Sequence, residues 1–136
     1  MFFYLTLVVH RPSSNCRTYP ELPLFLRCVQ LIEKALRTLG ADPQLGLKLP
    51  KVFLDAGFKG IQTRCVSFNG TYVDAGPIIV FAQTLKTVLP VLEKIGATTA
   101  AEVEIETLAQ RMIDEAAATN GVVVGPALTF TFAKRD

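Results

Sequence analysis

The chain has 136 residues, half of them apolar, which is enough for one domain with a buried core and excludes a disordered chain. Its net charge of +2 comes from interspersed Lys, Arg, Asp and Glu, with no basic stripe to track phosphates, so nucleic acid is excluded as the expected partner. Three cysteines, Cys16, Cys28 and Cys65, show no CxxC spacing and have a single histidine for company, so they supply no zinc cluster and point to a reducing, cytoplasmic compartment.

Phe2 to Val9 is an apolar run rich in strand formers, too short to span a bilayer, where a helix needs about twenty residues. It lacks a basic start and a small-residue cleavage site, and Pro12 follows it, so it reads as a buried strand and not as a signal or membrane segment. Residues 11 to 19 read as loop. A helix follows with Phe25, Val29, Ile32, Leu36 and Leu39 on one face, Pro20 and Pro23 in its first turn and Gly40 at its end.

Asp42-Pro43 is a helix start, but Gly46 and Pro50 predict that the regular helix runs only from about Leu49 to Ala56, with Leu49, Val52, Phe53 and Ala56 inward. Gly57 caps it, Phe58 packs back, and Lys59 to Phe68 reads as a strand. Asn69 to Pro77 carries loop signals throughout. Pro77 then opens a helix with Ile78, Phe81, Ala82, Leu85, Val88, Leu89, Leu92 and Ile95 inward, kinked at Pro90 and ended by Gly96.

Thr99 and Glu102 form a capping-box pattern ahead of a helix from Ala100 to about Thr119, which buries Ile105, Leu108, Met112, Ile113 and Ala116 and stops at Asn120-Gly121. The last element is extended: Val122 to Val124, an interruption at Gly125-Pro126, then Leu128, Phe130 and Phe132 alternating with Thr129 and Thr131, antiparallel to Lys59 to Phe68. The expected order is strand, helix, helix, strand, helix, helix, strand, in one domain over residues 1–136.

Chemistry is sparse along this chain. Gly57, Gly60 and Gly70 do not make a phosphate or dinucleotide loop. A cysteine nucleophile would have only His10 as base, so the three thiols read as packing groups and His10 as solvated. Glu102, Glu104 and Glu106 are alternate residues on a helix and do not share a face, which makes them a solvated first turn. The substrate-binding candidates are Phe68, Asn69, Tyr72 and Asp74, an aromatic and amide-bearing loop that reads either as the wall of a small-molecule pocket or as plain surface.

One stretch carries a family likeness. Ala35-Leu36-x-x-Leu39-Gly40-Ala41-Asp42-Pro43-x-x-Gly46-x-x-Leu49-Pro50-x-x-x-x-Asp55-Ala56-Gly57-Phe58, followed by a strand, resembles the C-terminal part of class I S-adenosylmethionine-dependent methyltransferases of the small-molecule type with a helical lid. The closing Leu128 to Lys134 resembles the family's last strand, which lies inserted between its neighbours. The likeness spans roughly residues 20 to 136 and implies an α/β, Rossmann-like fold in part. The C-terminal strands and the lid helices, 77–119, are present, and the N-terminal cofactor-binding strands are missing.

The family's acidic, Gly-rich cofactor loop and its ribose-holding acidic residue have no counterpart here. The resemblance therefore implies S-adenosylmethionine in complete members but none bound by this chain, and a fragment inactive alone. It also implies a small-molecule methyl acceptor as partner and self-association through uncovered apolar faces. The alternative reading is a free-standing α+β binding or interaction module.

Overall fold

A computed structural model of the chain describes residues 2–8, 16–42 and 44–134, with the backbone alone for 2–8 and 134. Its elements are β1 (Phe2–Val8), β2 (Arg17–Tyr19), α1 (Pro23–Thr38), α2 (Leu45–Asp55), β3 (Lys59–Thr71), α3 (Gly76–Lys94), α4 (Ala100–Val103), α5 (Leu108–Thr119) and β4 (Val122–Lys134). The result is a mixed α/β fold with an antiparallel sheet. The chain divides into two compact units: a sheet unit of Met1–Arg11, Asp42–Ser67 and Pro126–Asp136, and a helical unit of Pro12–Ala41 and Phe68–Gly125.

The helical unit is built on most of the predicted apolar faces, although Leu39 and Ile95, expected inward, are exposed. Phe25, Cys28, Val29, Ile32 and Ala35 of α1 bury against Ile78, Phe81, Ala82, Leu85, Val88 and Leu92 of α3, and Leu108, Met112 and Ala116 of α5 close the cluster. At its centre the rings of Phe25 and Phe81 meet edge to face with centroids 5.0 Å apart, the geometry the ring quadrupole favours. Helix α1 starts at Pro23, three residues after Pro20, because Leu22 occupies its N-cap position. It ends as expected at Gly40, whose φ of +79° suits a residue without a Cβ. In this unit β2 runs antiparallel to the start of β4, Arg17 opposite Val124 and Tyr19 opposite Val122.

One expectation fails in the same region. The helix foreseen over residues 100–119 is broken into α4 and α5, with Glu104 in the left-handed conformation at φ +48°. Val103 and Leu108 are five apart, which on an unbroken helix sets them about 140° from each other. The left-handed residue rephases the chain, and both are then buried. The capping box itself forms as read: Thr99 Oγ1 accepts the Glu102 amide at 3.2 Å, and Glu102 Oε2 accepts the Thr99 amide at 3.0 Å.

In the sheet unit β1 runs antiparallel to the end of β4, from Phe2 opposite Lys134 to Val8 opposite Leu128. The strand expected over Phe2 to Val9 is thus present. Its burial, residues 11–15 of the loop expected over 11–19 and the solvation of His10 lie outside what is described, while Arg17–Tyr19 of that expected loop form β2 instead. Strand β3 also pairs with β4. Thr63 lies beside Thr131, hydroxyl to hydroxyl 3.4 Å apart, and Phe68 lies beside Gly125, so the two strands run in opposite senses. Strand β4 is continuous through Gly125-Pro126, where an interruption was expected. A Cβ at Gly125 would come within 2.9 Å of the Phe68 carbonyl oxygen, so the glycine permits a close strand approach there.

Helix α2 begins at Leu45, four residues earlier than predicted, and accommodates Pro50. Asp42 is not the N-cap that was expected, since Gln44 takes that position without a side-chain cap; Asp42 holds the turn just before, its Oδ1 accepting the Gln44 amide at 2.8 Å while Lys48 Nζ lies 2.6 Å from Oδ2. The Lys48 hydrogen bond, followed by that of Gln44, holds the Asp42 carboxyl below its ordinary range. The inner face is smaller than expected. Gly46 and Leu49 are buried and Phe53 is half-buried, but Val52 is half exposed and Ala56 exposed. Gly57, at φ +81°, turns the chain, and Phe58 packs back on Phe53 with ring centroids 5.4 Å apart.

Candidate functional site

The predicted substrate residues gather where β3 meets α3. Phe68 and Asn69 belong to β3, which extends to Thr71 and so takes in the first residues of the expected loop. Tyr72 and Asp74 lie in the turn that follows. Thr71 organises this turn: its Oγ1 accepts the amides of Val73 at 3.3 Å and Asp74 at 3.1 Å, and its own amide donates to the Asp74 carbonyl at 3.1 Å. Gly70 is buried, and a Cβ on it would meet Pro77 at 3.0 Å, so the strand end is clamped against the start of α3.

All four side chains are exposed, Phe68 by 55% and Tyr72 by 41%, beside an 80% exposed Val73 and the outward-facing Ile79 and Val80. They form an apolar rim, with Asp74 in it, and not a walled pocket. A binding role here therefore needs a further surface to enclose the ligand.

A cavity of about 50 Å³ lies elsewhere in the helical unit, lined by Leu24, Arg27, Cys28 and Leu31 of α1, Leu85 of α3, and Glu102, Val103, Leu108 and Arg111. None of the four candidates lines it. It has room for a few waters but is far below the roughly 300 Å³ where small-molecule pockets begin. Two of its charged members, Glu102 and Arg111, are engaged in holding the fold. Glu102 serves the capping box and also accepts from Thr98 Oγ1 at 3.1 Å. Arg111 donates to the carbonyls of Val103 and Glu104 and to Thr107 Oγ1. The capping-box role of Glu102 follows from its pattern, but that of Arg111 was not legible beforehand, because the left-handed turn at Glu104 that exposes those carbonyls breaks a pattern that reads as continuous helix.

The thiols differ from one another. Cys16 and Cys28 are buried, and burial pushes their pKa up to about 11 and about 12, which keeps them protonated and poor as nucleophiles. Cys65 is exposed on β3, so the reading of all three as packing groups is corrected for this one. Strand β3 leaves both alternating sets of side chains largely uncovered. Nor do the three glutamates form a simple solvated turn: Glu104 bends the chain, and Glu106 pairs with Lys86 at 2.9 Å.

Among the described residues no group of three or more His, Cys, Asp and Glu is placed to hold a metal ion. Helix α3 is long and apolar enough to cross a membrane by length and composition alone, and its inner face is part of the helical core. The sequence has no Gly-rich phosphate loop, and the cavity in the helical unit is too small for a nucleoside. Compared with known proteins, the chain matches no family model and no curated sequence.

Proposed function

We propose that this chain is the C-terminal, substrate-side part of a class I S-adenosylmethionine-dependent methyltransferase of the cytoplasm, acting on a small molecule and inactive alone. The observation that carries the reading is the pairing of β4. The last element of the chain pairs with β1 and with β3, as the family's last strand is inserted between its neighbours. The Gly57-Phe58 turn from α2 into β3, and the placing of α3 to α5 between β3 and β4, support the same reading.

In it, Phe68, Asn69, Tyr72 and Asp74 form one wall of the acceptor site, and their exposure fits a wall whose opposite side comes from another segment. The cofactor, when bound, supplies the methyl group. This chain's residues contribute the acceptor side alone, in keeping with a sequence that has no Gly-rich phosphate loop.

Isothermal titration of S-adenosylmethionine into the purified chain tests this, first alone and then with a separately produced N-terminal half of a class I methyltransferase ending before its last strands. The expected result is no binding alone and binding with the half present. Micromolar binding by the chain alone overturns the proposal. Silence in both arms, from a chain that is a stable monomer or a defined dimer with a cooperative unfolding transition, favours a free-standing binding module instead. The self-contained core of the helical unit is the observation on that side.

A further inference from the structure

The cavity in the helical unit has on its wall two charged groups with bonding capacity that the fold does not use. Arg27 makes no hydrogen bond and no ion pair among the described residues. Glu102 accepts from Thr98 Oγ1 and from the Thr99 amide, both through Oε2, so its Oε1 accepts nothing among those residues. The third charged member, Arg111, is spent on backbone carbonyls, Thr107 and the Glu104 carboxylate. Arg27 and Glu102 thus line one small space with opposite charges and do not meet in an ion pair. We propose that this cavity binds a small α-amino acid, glycine or alanine, whose carboxylate accepts from Arg27 and whose ammonium donates to Glu102 Oε1.

The charges on the wall select this class of ligand. A guanidinium presents a planar fork that matches a carboxylate with two parallel hydrogen bonds, and an unused carboxylate oxygen suits an ammonium. A plain carboxylate at Arg27 would bring a second negative charge towards Glu102, and a plain amine would bring a further positive one towards Arg27 and Arg111. A molecule that carries both charges meets each with its opposite. Water offers hydrogen bonds to the same atoms but no charge.

Size and polarity narrow the class further. The rest of the wall is mostly apolar, with Leu31, Leu85 and Leu108 among its members. It suits a Cα and a methyl group and offers no partner to a polar side chain. Room for a few waters is room for a ligand of about five or six non-hydrogen atoms, and a side chain as large as that of leucine does not fit. The inference is separate from the methyltransferase reading, because none of Phe68, Asn69, Tyr72 and Asp74 lines this cavity.

The test follows the backbone amide resonances of the isotope-labelled chain by NMR at neutral pH during titration with glycine, alanine and their analogues. Saturable shifts at Leu31 and Val103, with millimolar affinity, are expected with glycine and with alanine. Acetate and ethylamine, which each carry one of the two charges, are expected to bind at least about tenfold more weakly, and leucine not at all. Arg27→Gln is expected to weaken alanine binding by about tenfold and, having no partner to lose, to leave the urea midpoint unchanged. Glu102→Gln, which keeps a neutral acceptor in the capping box, is expected to weaken it similarly. If that variant does not fold, the comparison of acetate with alanine on the wild type reads the same carboxylate. Absence of saturable shifts, acetate or leucine binding as well as alanine, or alanine affinity unchanged in either folded variant overturns the proposal.

Discussion

The Glu115 carboxylate accepts the backbone amides of Leu24 at 2.9 Å and Phe25 at 3.2 Å, capping the start of α1 from the middle of α5. Leu22, at the N-cap, has no side chain to do this, and α1 carries no acidic residue in its first turn. Glu115→Ala leaves two part-buried amides without acceptors and is expected to cost about 1–3 kcal/mol, read as a lower urea midpoint at unchanged slope. Glu115→Gln keeps one acceptor and should lose about half as much. The partners are 91 residues apart, so no local signal announces the contact. The Thr99–Glu102 box was legible for the opposite reason: a single helical turn holds both halves, and their residue types are specific to that geometry. The candidate site stands between these cases. Residue types marked Asn69 to Pro77 as a loop, but whether β3 ended before Asn69-Gly70 depended on the packing of Gly70 against Pro77, which comes from the tertiary fold.

At the scale of elements, the apolar faces of α1, α3 and α5 were largely readable because burial repeats at helical spacing, and Gly40 and Gly96 marked the stops of α1 and α3 through backbone geometry alone. The division between α4 and α5 was not, since Glu104 has little intrinsic preference for φ +48°. Surrounding contacts impose the conformation. Arg111 is central among them, holding the Val103 and Glu104 carbonyls and Thr107 Oγ1 while pairing with the Glu104 carboxylate at 3.4 Å. Arg111→Lys places a compact charge where a planar fork is needed and cannot satisfy all these acceptors. It is expected to lower stability by about 1–2 kcal/mol, mostly through the backbone carbonyls, because the half-exposed ion pair itself contributes little. If Arg111→Lys matches wild type in urea while Arg111→Met loses stability, charge and not the fork holds the turn.

At the scale of the whole molecule, burial is uneven. The helical unit contains the large core cluster, whereas α2 buries only Gly46 and Leu49 and leaves Leu47, Val52 and Leu54 exposed. Local opening free energy follows buried apolar contact, so hydrogen exchange is expected to protect the amides of α1, α3 and α5 more strongly than those of α2 and β3. Equal protection throughout would mean that the two units open as one. Alkaline pH separates them further, because Cys16 and Cys28 both belong to the helical unit. Burial raises Cys28 from the ordinary thiol value of 9.0 to about 12, and Cys16 to about 11 with help from the Glu33 charge.

For a group whose folded value lies above its unfolded one, the stabilisation is fully present below the unfolded value and is lost as pH rises through the folded one. The window is therefore pH 9 to about 12 for Cys28 and 9 to about 11 for Cys16. Inside it each thiol removes stability at about 1.4 kcal/mol per pH unit, since the unfolded chain releases a proton that the folded unit retains. Lysines and tyrosines also titrate there, so the test is a difference. Cys28→Ala is expected to be less stable than wild type at pH 8, having lost the buried sulfur and its contact with the Phe81 carbonyl, 3.6 Å away. By pH 10.5 that gap should narrow by about 2 kcal/mol, because the variant has no thiol to ionise on unfolding. A gap that stays constant between the two pH values would show that Cys28 ionises as readily in the folded unit as outside it, against its burial between α1 and α3.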